Sequence, residues 1–245
     1  MTPSFTLFSL SHFAAVFIVV VLITLALLRL RRHGPDPADR RFNHWLAVLL
    51  IVNVLFWKIM IVKDGYFTLD DDLPFHLCGV CPFLIAAYLW KPRQWLFDIL
   101  YYWTLGGMPL ALLLPEVEAG YPSSEFSGFF FMHGLPLFAI LHLVLVQGIR
   151  PSGRSVMTAF FALNLYVIFI ATPANLLTGG NYVYLRSVPT VDFGPISWLP
   201  PWPWYILVID LFALVLYRAM YQPFHLLAGK KETAGLLTHK SSVNH

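Results

Sequence analysis

The chain is 245 residues long, 58% hydrophobic, 16% aromatic and 12% charged, with a net charge of +3 and a mean hydropathy of +0.68. Soluble domains carry about a quarter charged residues, so that class is excluded. Apolar runs long enough to cross a bilayer recur from end to end and indicate an all-α, polytopic membrane helix bundle. The basic residues form no stripe interleaved with aromatics, which argues against nucleic acid as a partner.

Seven spans are expected in chain order, at about residues 8–28, 45–62, 75–90, 95–114, 126–149, 156–177 and 204–221. No Lys or Arg precedes the first span, whereas Arg29, Arg31 and Arg32 follow it, the reverse of a cleavable signal peptide. Gly34, Pro35 and Pro37 mark the next segment as a polar turn. Lys58, near the end of the second span, is expected to snorkel to the headgroups. Asp98 is expected to pair with Arg93 at the start of the fourth. Thirteen of the sixteen Lys and Arg residues fall on one side of this arrangement, with Lys63 and Arg186 on the other. The positive-inside rule therefore places the N-terminus outside and the C-terminus in the cytoplasm. One bundle domain over residues 1–245 is expected, with residues 222–245 as a flexible cytoplasmic tail.

The chemistry gathers in Leu73-Pro74-Phe75-His76-Leu77-Cys78-Gly79-Val80-Cys81-Pro82, where an acidic loop enters the third span. The topology puts Cys78 about one turn below the outer surface, with His133 of the fifth span about two turns deep on the same side. Thr172, Pro173 and Asn175 end the sixth span there, and Asn181, Tyr182 and Tyr184 lie just beyond. Trp202, Trp204 and Tyr205 open the seventh span at that level, either as an interfacial aromatic belt or as ligand contacts. Asp210 inside the seventh span is a functional group or a hydrogen-bond link to Asn164 or a tyrosine. Asn164 and Asn175, eleven residues apart, are expected to share one helix face. His142 falls on the face opposite His133, and His12, His44, His225, His239 and His245 carry little signal.

Four readings of the cysteine stretch stand side by side. Cys78 and Cys81 share a helix face, as a quinone-linked thiol-disulfide oxidoreductase would need, although no second cysteine pair exists for a relay. Cys78, Cys81, His76 and His133 supply the ligand types of a zinc site. Cys78 with a histidine base makes an acyl-accepting nucleophile. Both thiols also serve as small buried hydrophobes, in which case the chain is a transporter or scaffold.

The order of segments resembles the YwaF/TMEM164 family of integral membrane proteins. The resemblance runs through Leu73 to Cys78, Tyr101 to Gly107 and on to Leu114-Pro115, Phe129 to Gly134, Asn181 to Leu185 with Pro189, and Pro201 to Tyr205. It covers about residues 40–220. Cys81 departs from the family pattern. Animal relatives are described as cysteine-dependent fatty acyltransferases acting on lysophospholipids. The resemblance therefore implies a lipid acyltransferase or acyl hydrolase working through a Cys78 thioester, with a histidine as the base, His133 by preference because it arrives from another helix at matching depth, or else His76. Asn181 and Tyr182 would bind the headgroup or oxyanion, Asp210 would orient a histidine, and Trp204 and Tyr205 would line the substrate. Membrane lipids are the expected partners, and neither cofactor nor metal is called for. The absence of an N-x-S/T sequon leans toward a bacterial cytoplasmic membrane.

Overall fold

The computed structural model describes residues 4–33, 40–191 and 193–242, with side chains as far as residue 226. The expected turn at Gly34, Pro35 and Pro37 and the side chain of His239 lie outside the described residues, as does His245. Among them are seven helices, one for each expected span. These are α1 (Leu10–His33), α2 (Arg40–Lys63), α3 (Leu77–Trp90), α4 (Gln94–Leu113), α5 (Ser124–Leu145), α6 (Ser155–Thr178) and α7 (Trp204–Ser242). Six are long and apolar enough to cross a membrane.

The exception, α3, has 14 residues, which span about 21 Å against a hydrocarbon core of about 30 Å. A tight connection joins its C-terminal end to α4, with Lys91 N–H bonding Ala87 O and Arg93 O accepting from Leu96 and Phe97 N–H. Its N-terminus therefore stops about 9 Å short of where a full span would end. This recess holds the cysteine stretch.

The ends of the other helices follow from local chemistry. Ser123 caps α5 by accepting from Phe126 N–H at 3.0 Å, and Glu125 accepts from the N–H groups of Glu118 and Ala119. Gly179 stops α6 with a φ of +77°, its N–H bonded to Asn175 O. Within α6 a π turn covers Val167–Ala171, just ahead of Pro173, which has no N–H to offer Phe169 O. The extra residue in that turn rotates the rest of the helix by about 100°. Asn164 and Asn175 consequently part company. Asn164 donates to Asp210 Oδ1 of α7 at 3.1 Å, while Asn175 turns to the Tyr182 backbone.

Helix α4 is the hub, packing against α3, α5, α6 and α7, while α1 rests chiefly on α5. Phe97, Leu100, Tyr102 and Met108 of α4 are fully enclosed together with Leu50, Ile85, Leu89, Ile140 and Leu143. Two polar side chains of α4 are tied off in this core, while Thr104 Oγ1 and His142 Nδ1 are buried without a hydrogen-bond partner among the described residues. Tyr102 Oη meets Ser155 Oγ at 2.8 Å, and Trp103 Nε1 donates to Ala159 O. Gly106 admits Leu216 and Tyr217 of α7 at contact distance, the packing role its small size predicts, whereas Gly107 faces open space.

Two expectations change here. Asp98 is buried and forms no ion pair with Arg93. Its carboxylate accepts from Gln94 Nε2 (2.8 Å), Ser152 N–H (2.9 Å) and Ser152 Oγ (2.6 Å), fastening the turn between α5 and α6 onto α4. Lys58 does not reach outward to headgroups. It donates to Asp72 Oδ1 at 2.7 Å, with 27% and 14% of the two side chains exposed. An ion pair that dry satisfies the ammonium at lower cost than an unpaired reach through hydrocarbon.

Candidate functional site

The recess above α3 is closed by two loops, residues 64–76 and residues 179–203. Pro74 lies two residues before the cap of α3 and not at its first helical position. The cap is His76, in extended conformation, and its carbonyl accepts from Gly79 and Val80 N–H. The Leu73-Pro74 turn folds back over this first helical turn. A Cβ on Gly79 would lie 3.0 Å from Pro74 Cα, so the close approach requires glycine. Cys78 is thus the second residue of α3. Its thiol is half-buried, with the backbone N–H groups of Cys78 and Gly79 against it.

His76 is held from every side. Its Nδ1 accepts from Val183 N–H at 3.4 Å, which puts the proton on Nε2, 3.3 Å from Asp71 Oδ1. The rings of Tyr182 and Tyr184 flank it at centroid distances of 5.1 and 5.5 Å. The hydrogen bond from His76 holds the Asp71 carboxyl below the usual carboxylate range, against some desolvation and with help from the charges of His76 and Lys58. With both ring nitrogens engaged, His76 has no free lone pair for the Cys78 proton.

His133 has the complementary state. It is buried on α5, stacked on Phe129, with Nδ1–H donating to Phe129 O at 2.7 Å. That fixes the tautomer in which Nε2 carries the lone pair, and Nε2 has no hydrogen-bond partner among the described residues. Helices α3 and α5 pack against one another. No hydrogen bond joins His133 to Cys78.

The second loop is built around Tyr182, which is fully buried. Its phenol donates to Leu69 O (2.7 Å) and accepts from Leu73 N–H (3.2 Å), locking the two loops together. Asn175 pins its backbone on both sides, accepting from Tyr182 N–H at 2.6 Å and donating to Tyr182 O at 3.0 Å. Val183 and Tyr184 then take positive φ values of 58° and 56°, conformations that cost non-glycine residues of order 1–3 kcal/mol each. Tyr205 donates to Tyr184 O and Trp202 to Leu185 O, holding the strained pair in place. Tyr184 Oη donates to Glu116 Oε2 at 2.6 Å, and Glu116 also accepts from Thr190 N–H and Oγ1. Burial and the neighbouring Glu116 charge push the Tyr184 phenol far above its usual range, so it stays protonated.

The expected site residues therefore divide. Cys78, His76 and Tyr182 come together at the recess, with His133 on α5, which packs against α3. Asn181 spends its side chain on its own loop, donating to Ser187 and accepting from Arg186 and Ser187 N–H. Asp210 bonds Asn164 and meets no histidine among the described residues. Trp204 is largely exposed, whereas Tyr205 is buried as a loop fastener. Cys81 is fully buried with Thr104 beside it, and both thiols are free. Among the described residues no three His, Cys, Asp or Glu side chains lie close enough to hold a metal ion, so the four-ligand zinc arrangement is not assembled. Asp71 and Glu116 enter the site unannounced, and Asn175, expected at this level, enters as the clasp on the Tyr182 backbone. The Asp70-Asp71-Asp72 run five residues ahead of His76 was the available signal for the first.

The TMEM164 family profile matches residues 7–221, nearly all of the described helices. The chain belongs to the TMEM164 family. This TMEM164-family chain is also similar to an uncharacterized protein of Treponema pallidum (strain Nichols), 27% identical over 203 residues that cover 77% of this chain and 78% of that protein. No solved structure matches it. As a family member, the chain is a multi-pass membrane protein by its six long apolar helices.

Proposed function

We propose that this chain is a lipid acyltransferase of the bacterial cytoplasmic membrane, within the YwaF-like branch of its family, that carries an acyl group on Cys78. The observation that carries the reading is a thiol in the first turn of α3 packed beside a helix, α5, that holds a buried histidine with an unengaged Nε2. His133 Nε2 takes the Cys78 proton, and the sulfur attacks the ester carbonyl of a phospholipid donor. The Cys78 and Gly79 amides stabilise the oxyanion. Collapse expels the lysolipid alkoxide, which recovers the proton from His133, and leaves a Cys78 thioester. A lysolipid hydroxyl then attacks that thioester, giving its proton to His133, and the departing thiolate is reprotonated. His76, clamped between two tyrosines and Asp71, orders the loop over the thiol. The excess of Lys and Arg at the opposite end supports a recess facing outward.

The test is thioester trapping in membranes supplied with a clickable phospholipid. Label should appear on the wild-type chain, be released by neutral hydroxylamine, persist in Cys81→Ser and vanish in Cys78→Ser. His133→Gln should cut the labelling rate by about 10²–10⁴, the usual share of a general base. Undiminished lipid remodelling by Cys78→Ser would overturn the proposal.

A further inference from the structure

Residues Leu49, Val52, Asn53 and Phe56 follow one another at i, i+3, i+4 and i+7 along α2 and form a single stripe. It lies about 125° around the helix from Leu46, Ala47, Leu50 and Val54, the residues α2 buries in the bundle. The three apolar members are each about half exposed, at 51%, 52% and 50%. The stripe forms one wall of an apolar groove of about 430 Å³, whose other wall is Trp57, Phe131 and Leu135. Gly128 of α5 seats Trp57 there, since a Cβ at that position would lie 2.8 Å from the indole.

Apolar side chains facing lipid need no partner, because hydrocarbon satisfies them as well as protein does. Asn53 does need one. It lies 13 residues from Arg40 and ten from Lys63, or about 20 and 15 Å from the two ends of the helix, near the bilayer centre. A carboxamide offers two N–H donors and two acceptor lone pairs. Asn53 uses a single donor, in a long 3.4 Å bond to Phe131 O, and its Oδ1 has no partner among the described residues. Acyl chains carry neither donor nor acceptor, and lipid headgroups lie about 15 Å away. A partner for Oδ1 at this depth comes from another helix. The carboxamide is self-complementary in partial charge, with a positive N–H edge and a negative oxygen, and a two-fold axis sets each residue against its own counterpart.

We infer that the Leu49, Val52, Asn53 and Phe56 face of α2 is where two copies of this chain associate in the membrane, with the two Asn53 carboxamides hydrogen-bonded across the dyad. The interface lies away from the recess of α3 and does not depend on the chemistry at Cys78.

The experiment uses the full chain, fused separately to donor and acceptor fluorophores and reconstituted into phosphatidylethanolamine–phosphatidylglycerol vesicles at graded protein-to-lipid ratios. Energy transfer should rise with protein density and saturate as for a dimer. Asn53→Leu should raise the dissociation constant about eightfold, from the loss of two interhelical hydrogen bonds of ordinary membrane strength, while Asn53→Gln retains most of the association. Both variants should melt like wild type in detergent, which separates association from folding. In a Cys78→Ser, Cys81→Ser background, Val52→Cys should give a disulfide-linked dimer under mild oxidation. Density-independent transfer, or equal association of wild type and Asn53→Leu, overturns the inference. So does native mass spectrometry showing a monomer with a retained lipid that Asn53→Leu loses, a result that gives the groove to lipid.

Discussion

Replacing Asn175 by leucine should loosen the whole lid over Cys78. Leucine has the same branching and the same number of side-chain heavy atoms, so the helix survives, but both bonds to the Tyr182 backbone disappear. Tyr182 is fully buried, and water does not reach the freed N–H and C=O. Each buried backbone group left without a partner costs about 1–3 kcal/mol, so the pair should cost about 2–6 kcal/mol. For a chain of this size that lowers the melting point by roughly 4–24 °C. Asn175→Asp gives a sharper version. It keeps the acceptor for Tyr182 N–H yet sets a carboxylate oxygen against Tyr182 O, so it should be no better than leucine. Thermal unfolding in detergent measures the stability, and the rate of Cys78 alkylation by a membrane-permeant maleimide measures the lid. Alkylation should accelerate, because Tyr182 no longer holds the two loops together and Val183 N–H no longer meets His76. An Asn175→Leu chain that melts within a degree of wild type and labels at the wild-type rate would refute the reasoning.

Asp98→Asn should destabilise by about 1.5–3 kcal/mol, since a carboxylate accepting three hydrogen bonds gives way to an amide with one oxygen. Cys78 alkylation should stay unchanged, because that residue anchors the opposite end of the bundle. The Asp71–His76 contact gives a pH signature. A carboxyl held low contributes stability that is present above its unfolded value of about 3.9 and lost as pH falls through the lower folded value. The Asp71 side chain is 80% exposed, so water screens the pair and the loss should barely move the melting point. The Asp71 side-chain carboxyl resonance should nevertheless titrate below about pH 3.9, with a midpoint that moves up toward that value in His76→Gln.

The helical plan was legible because the bilayer writes it into the sequence as length and apolarity, and because loop charge separates the two ends. Even the short third span showed, as a run closed by Lys91-Pro92-Arg93. What escaped was the choice among partners for each polar group. Lys58 and Asp72 are fourteen residues apart, and Glu116 and Tyr184 sixty-eight. No local spacing announces such pairs. Asn164 and Asn175 misled for a different reason, since eleven residues make three regular turns only where the helix stays regular, and the π turn before Pro173 breaks that count. Asn181 carried the polarity of a ligand contact but spends it on shaping its own turn, as asparagine commonly does in loops. Among the histidines, depth and a separate helix already favoured His133 over His76, and the engaged ring nitrogens of His76 lean the same way.

The phenol of Tyr182 reaches back to Leu69 and Leu73, more than a hundred residues earlier in the chain. During synthesis at about 5–20 residues per second, the segment around Cys78 therefore enters the bilayer on the order of ten seconds before the residue that closes over it exists. Throughout that interval the nascent recess lacks its cover, and whatever in the translocation machinery or the surrounding lipid meets an open helix end can occupy it. Synthesis of the loop that follows the sixth helix is thus the event that covers the thiol, and a ribosome that stalls before it leaves that thiol uncovered.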